Sequence, residues 1–159
     1  MRNLIFILIV FAGIGFGSCT KDRKCDALSV TAPQEEVDAV AQYLDKNNIT
    51  ATKDAQGFFY TIEASGSGDR PKSCSNVTVT YTGKLTNGTV IDDKYSKQSI
   101  SFDLGDLIVG WRAGIPLIAK GGRVTLYLPP SLAYGDKPTG PIPANSILIF
   151  TIDLLKINN

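Results

Sequence analysis

Between Val77 and Ile157 the apolar residues recur at every second position in short stretches, and this alternation constrains the fold more than any other feature. Val77, Val79 and Tyr81 alternate with Thr78, Thr80 and Thr82, and Ile100, Phe102 and Leu104 repeat the pattern, as do Val124, Leu126 and Leu128. Successive side chains of a strand point to opposite faces, so each stretch buries one face and wets the other. Phe58–Ile62, rich in aromatic and β-branched residues, reads as a further strand, and Ile147–Ile157, with Phe150 inside it, as a long closing one. Asn87-Gly88 between Leu85 and Val90 is a hairpin-turn signal. One short helix is predicted over Trp111–Lys120, compromised by Gly114 and Pro116. Strands in this number around one short helix predict an α+β domain with a mostly antiparallel sheet.

Ahead of these strands the periodicity changes. Val37, Val40, Ala41 and Leu44 fall at i, i+3, i+4 and i+7, the stripe of a short amphipathic helix. Thr31 and Gln34 stand at capping-box spacing with Pro33 between them, and Asn47-Asn48 ends the segment. Such a helix either packs on its own domain or serves as a dimerisation or partner surface. Gly66-Ser67-Gly68 and Pro71 break the chain. The divisions expected are a leader at 1–18, a polar tether at 19–31, the helix and first strand at 32–73, and the main domain at 74–159.

Of the 159 residues 43% are hydrophobic, enough for one sizeable core and not two. Sixteen Lys and Arg against fifteen Asp and Glu leave +1, without the basic excess of an electrostatic nucleic-acid binder. The chain has no histidine. That removes Ser-His-Asp and Cys-His nucleophilic sites, His-ligated metals and imidazole proton carriers.

The leader has Arg2, the apolar run Leu4–Ala12 and a small-residue exit, the parts of a secretory signal. Phe16-Gly17-Ser18-Cys19 resembles a bacterial lipobox. The resemblance implies cleavage before Cys19, acylation of that residue and anchoring by two or three chains, since one chain binds only marginally. It places the protein in the cell envelope, on the outer membrane facing the periplasm. Lys21-Asp22 is similar to short charged export signals and raises the cell surface as the alternative. Cys25 and Cys74 remain, and an oxidising compartment favours pairing over free thiols. Their disulfide would contribute ~3–4 kcal/mol by closing a loop of about fifty residues. With two thiols and no histidine a metal site is not expected.

The main domain carries a resemblance. Val79-Thr80-Tyr81-Thr82-Gly83-Lys84-Leu85-x-Asn87-Gly88 followed by Ile91-Asp92 resembles the opening motif of FKBP-type peptidyl-prolyl isomerases. Phe102-x-Leu104-Gly105-x-x-Ile108-x-Gly110-Trp111-x-x-Gly114-Ile115 resembles their central motif. Pro130-x-Leu132-Ala133-Tyr134-Gly135 and Ile142-Pro143-Ala144-Asn145 through Leu155 resemble the closing two, in order. The resemblance implies a curved, mostly antiparallel sheet wrapped over a short helix, with a pocket between them.

It also implies roles. Trp111 would be the floor under the prolyl ring, with Tyr81, Leu107, Ile108 and Phe150 as walls. The Tyr134 phenol and the Ile108 backbone N–H would bind substrate carbonyls. Asp92, held by the Tyr81 hydroxyl, would face the twisting amide, and Ile100 and Ile142 would complete the rim. The implied partners are proline-containing unfolded polypeptides, with macrolides as inhibitors. Ile91 departs from the family's usual phenylalanine, and Ile100 from a frequent aromatic, so the pocket is expected to be less aromatic than in strong drug-binding members. Rotation about an X–Pro bond makes and breaks no covalent bond, so it needs neither imidazole nor a cofactor. The competing expectation is a chaperone-like lipoprotein that binds polypeptides on the same fold without catalysis, a reading motivated by Ile91.

Overall fold

The alternating segments hydrogen-bond into a single antiparallel sheet of seven strands. The computed structural model describes residues 29–93 and 95–158. In chain order these form α1 (Gln34–Lys46), β1 (Thr52–Lys53), β2 (Phe59–Ala64), β3 (Asn76–Leu85), β4 (Val90–Asp92), β5 (Ile100–Asp103), α2 (Val109–Gly114), β6 (Arg123–Leu128) and β7 (Leu148–Asn158). The spatial order is β1-β2-β6-β7-β3-β4, with β5 also on β3. The signal segment, Cys19, Lys21-Asp22 and Cys25 lie outside the described residues. The expected pairing of Cys74 with Cys25 falls outside the described residues.

The two longest strands make the spine. β3 pairs with β7 from Asn76↔Asn158 to Leu85↔Leu148, with a bulge between Thr78 and Val79. Val77, Val79 and Tyr81 from β3, and Leu148, Phe150, Ile152 and Leu154 from β7, are buried, as their alternation predicts. On the other flank of β3 the partner is split. β5 pairs with Asn76–Val79, and β4 with Gly83 and Lys84. Between the two partners, the Tyr81 N–H bonds the Tyr95 carbonyl at 3.2 Å.

Helix α2 lies on the inner face, brought close by two glycines. A Cβ on Gly110 would sit 2.5 Å from both Leu128 methyls, and one on Gly114 2.6 Å from those of Leu126. The helix stops after Gly114, short of the predicted Lys120. Pro116 cannot donate to an α-helical ladder, and the chain continues as one tight turn, Ile115–Leu117.

β6 is covered on both sides: Val124, Leu126 and Leu128 face the main core, and Tyr127 faces α1. There Val40 and Leu44 close over Tyr127, with Ile147 and Ile149 beside them, so α1 packs on its own domain. Its start differs from the expected capping box. Pro33 is the N-cap, extended at φ −55°, ψ 144°, and no side chain caps the helix. Thr31 lies two residues ahead, and Gln34 bonds forward to Asp38 at 2.7 Å. The N-terminal segment shares the one sheet, because β2 pairs with β6 and the short β1, not foreseen in the sequence, pairs with β2. Gly66-Ser67-Gly68, read as a break, is a stitch: the Ser67 N–H bonds the Lys120 carbonyl and the Ala119 N–H bonds the Ser65 carbonyl, each at 2.9 Å.

Candidate active site

A cleft of about 480 Å³ opens between α2, the inner face of the sheet and the loops after β6. Trp111, 5% exposed, is its floor, because Gly110 and Gly114 flatten the helix onto β6 and leave the indole facing sideways into an aromatic frame. Three rings meet it nearly perpendicularly: Tyr81 at 4.9 Å and 85°, Phe150 at 5.3 Å and 85°, and Phe102 at 6.0 Å and 82°. Edge-to-face pairs match the positive ring edge to the negative face, so the frame favours this one arrangement. The buried indole N–H has no hydrogen-bond partner among the described residues.

Most of the residues singled out in the sequence come together here. Tyr81, Ile91, Asp92, Leu107, Ile108, Trp111, Tyr134, Ile142 and Phe150 all line the cleft. Ile100 does not. It stands opposite Val79 in β5, where its short branched side chain packs against the core, while Phe102 two residues on reaches Trp111 with a longer ring. Phe102, Asp106 and the segment Thr139–Pro141 also line the cleft and were not among the candidate site residues. Parity puts Ile100 and Phe102 on one face, and the longer ring was the signal that could have picked Phe102.

The polar groups sit at the mouth. The Tyr81 hydroxyl donates to an Asp92 carboxylate oxygen at 2.5 Å. The Tyr134 hydroxyl makes no hydrogen bond among the described residues, and the ring is 42% exposed. The Ile108 N–H, at the residue before α2, is likewise unbonded among them. Burial pushes the Tyr81 phenol well above its ordinary range, and the bond to Asp92 adds to the shift. Tyr134 is also raised, first by burial and then by the negative charge of Asp92. Both phenols therefore stay protonated donors at neutral pH.

A prediction follows from their sign. With no histidine in the chain and both phenols raised, ligand binding at the cleft is expected to stay level from about pH 6 to about pH 9. The neutral phenols' contribution to stability is complete below their unfolded pKa of about 10 and is lost as pH rises through the higher folded values. Titration calorimetry and thermal melts across this range check both statements. A midpoint of either near pH 7 would overturn them.

Among the described residues no cluster of His, Cys, Asp and Glu could hold a metal ion, and no helix is long and apolar enough to cross a membrane. What the cleft offers is an apolar slot, an aromatic floor and two unengaged donors at its edge.

Known proteins resemble this chain in sequence and in fold. Residues 68–155 match the family model described as FKBP-type peptidyl-prolyl cis-trans isomerase. The chain is 43% identical over 108 residues to the FKBP-type peptidyl-prolyl cis-trans isomerase FkpA of Buchnera aphidicola, covering 67% of this chain and 45% of the relative. It is 36% identical over 137 residues to a probable FKBP-type peptidyl-prolyl cis-trans isomerase of Haemophilus influenzae, covering 85% and 56%. It thus spans about half the length of the curated relatives it matches. The crystal structure of FkpA from Escherichia coli superposes with a TM-score of 0.70 at 33% identity, over 79% of this chain and 60% of that one. A peptidyl-prolyl cis-trans isomerase from Pseudomonas syringae pv. tomato gives 0.68 at 27% identity, over 82% and 99%. With the family model matching more than half its length, the chain belongs to the FKBP-type peptidyl-prolyl cis-trans isomerases.

Proposed function

We propose that this protein accelerates cis-trans rotation of X–Pro bonds in folding polypeptides of the cell envelope. The observation that carries the reading is the cleft's composition: a tryptophan floor in a perpendicular aromatic frame, with a free phenol at the mouth. The uncatalysed barrier is about 18–20 kcal/mol and comes from amide resonance, which is lost as the bond twists. The twisted amide has less charge separation than either planar isomer. An apolar slot that strips water from the amide therefore raises the ground state more than the transition state, and binds the latter better. Lowering the barrier by about 6–8 kcal/mol corresponds to a rate gain on the order of 10⁴–10⁶.

The named residues divide this work. The prolyl ring rests on Trp111 between Tyr81, Ile108 and Phe150, while Leu107, Ile91 and Ile142 exclude water. The Tyr134 hydroxyl and the Ile108 N–H hold the flanking carbonyls, which fixes the peptide on both sides of the bond. Asp92, anchored by Tyr81, faces the amide carbon as its double-bond character falls. Macrolides that mimic a prolyl ring are expected to compete.

The test is kcat/KM on a panel of X–Pro peptides. A value above about 10⁵ M⁻¹s⁻¹ supports the reading. Tyr134→Phe, which removes only the free hydroxyl, is expected to lower it about five- to tenfold without shifting the melting temperature. Ile91 stands in the slot wall where an aromatic ring would narrow it, and this favours a second reading, polypeptide binding without turnover. A folded protein that suppresses aggregation of proline-free clients while failing on every X–Pro peptide would establish that one.

We also propose that Cys19 carries a lipid anchor at the outer membrane facing the periplasm, and that Cys25 pairs with Cys74. Fatty-acid labelling abolished by Cys19→Ala, and a Cys25–Cys74 peptide in a non-reducing digest, are the expected results. Protease digestion of whole cells separates a periplasmic from a surface location.

A further inference from the structure

Tyr134 is carried by a short irregular segment between β6 and β7. It follows Pro129-Pro130, and residues Pro130–Leu132 make a single tight helical turn. Leu132 is fully buried and anchors one side. The Pro130 carbonyl accepts the N–H groups of both Ala133 and Gly135, at 2.9 Å each, so Tyr134 stands between two residues tied to one oxygen. Ala133 has the uncommon backbone angles φ −124°, ψ −111°. Pro130 has no N–H, so the first amide of the turn is that of Ser131, and within such a turn it has no backbone acceptor.

That amide is taken by a residue far away in sequence. The Ser131 N–H donates to a carboxylate oxygen of Glu36 at 2.9 Å, across 95 residues and in a partly buried setting. A charge-assisted bond of this kind is stronger than a neutral one. Glu36 is in the first turn of α1, outside the residues that match the family model. The helix itself is held by other contacts: Val37 in the main core, and Val40 and Leu44 over Tyr127. Removing the carboxylate therefore leaves the helix seated and frees only the loop.

We infer that Glu36 is a positioning residue for Tyr134, which makes α1 a working part of the cleft as well as a cover for the sheet. The inference rests on the proposed isomerase reading for its consequence in rate, but not for its geometry. With Glu36 in place the turn has its first amide fixed, and the Tyr134 hydroxyl is delivered to one position at the mouth. Without it the turn keeps buried Pro130 and Leu132, the Leu132 N–H on the Pro129 carbonyl and the Asn145 N–H on the Gly135 carbonyl, but its Ser131 amide is untied, and the phenol samples a wider volume.

The experiment uses the full chain, with Glu36→Ala, Glu36→Gln, Tyr134→Phe and the double variant Glu36→Ala/Tyr134→Phe. Glu36→Ala is expected to lower kcat/KM about fivefold. Glu36→Gln, which keeps an acceptor oxygen, is expected to restore it to within about twofold. In the Tyr134→Phe background the alanine change is expected to add less than about twofold, because the hydroxyl it positions is already gone. Full multiplication of the two single effects would overturn the inference. In parallel, the Tyr134 ring resonance of tyrosine-labelled protein reads the loop without turnover. It is expected to shift or broaden in Glu36→Ala and to return in Glu36→Gln. A wild type that turns over no X–Pro peptide defeats the functional reading alone. A Tyr134 resonance indifferent to Glu36 defeats the positioning.

Discussion

Trp111→Ala is expected to lower kcat/KM on X–Pro peptides by about a hundredfold and to cost about 3–5 kcal/mol of stability. Both effects come from one side chain because the indole is floor and frame together. It holds Tyr81, Phe102 and Phe150 at centroid distances of 4.9, 6.0 and 5.3 Å, all within ten degrees of perpendicular. Removing it opens a void in the cleft base that Gly110 and Gly114 cannot fill, since α2 already rests on Leu126 and Leu128. Urea titration gives the stability, and peptide turnover below the melting transition gives the rate. Trp111→Phe separates the two roles: it keeps a ring for the frame, so most of the stability should return while about a tenfold loss in rate persists. An alanine variant that is folded and within about threefold of wild type would remove Trp111 from the proposed chemistry.

The second large effect lies away from the cleft. Gly66→Ala is expected to destabilise the fold by about 3–4 kcal/mol, lowering Tm by roughly 10–15 °C. Gly66 has φ +73°, and a Cβ there would lie 2.3 Å from the Ala119 carbonyl oxygen and 2.7 Å from the Gly122 nitrogen. Every atom it meets is backbone, so no rotamer change relieves the contact. Gly68, two residues on, has φ +83° and nothing within 4 Å. Gly68→Ala therefore carries the left-handed penalty alone, about 1–2 kcal/mol. Calorimetric melts of the pair isolate the steric part. Equal losses would show that the stitch opens locally and absorbs the methyl group.

What the sequence disclosed depended on how local the cause was. The strands over 77–82, 100–103, 124–128 and 148–157 were legible because one buried face imposes a period of two, while Leu104, expected to extend the strand from Ile100, opens a tight turn instead. The end of α2 was misplaced at Lys120 because the cause is the geometry at Pro116, which turns helix into a tighter turn without ending the chain's direction. Gly66 looked like a break because positive φ and a loose linker have the same sequence signature, and only the facing backbone distinguishes them.

At the site, Trp111, Tyr81, Tyr134 and Phe150 stood in motifs, and the sheet brings them together. Ile100 and Phe102 share a face, so parity could not say which would reach the cleft; side-chain length decided it. Glu36 had no signal at all, since its partner is a backbone N–H 95 residues on. Thr31 offered a false signal. The spacing of a capping box was present, but Pro33 takes the N-cap position instead.

The split flank of β3 bears on how the proposed isomerase would handle unfolded chains. A protein that attracts disordered polypeptide runs the hazard of becoming their template, since any long free strand edge can be extended by a newcomer. Here one rim of the sheet is made by β1, two residues long, and the stretch Thr61–Ala64 of β2 that β1 does not cover, and the other by β4 and β5, three and four residues long and separated by a detour. Neither rim gives a visiting chain enough consecutive backbone to zip onto. In the proposed isomerase a client would therefore be held by the side chains of a slot and not by a growing ladder, and its departure would require no strand to be peeled away.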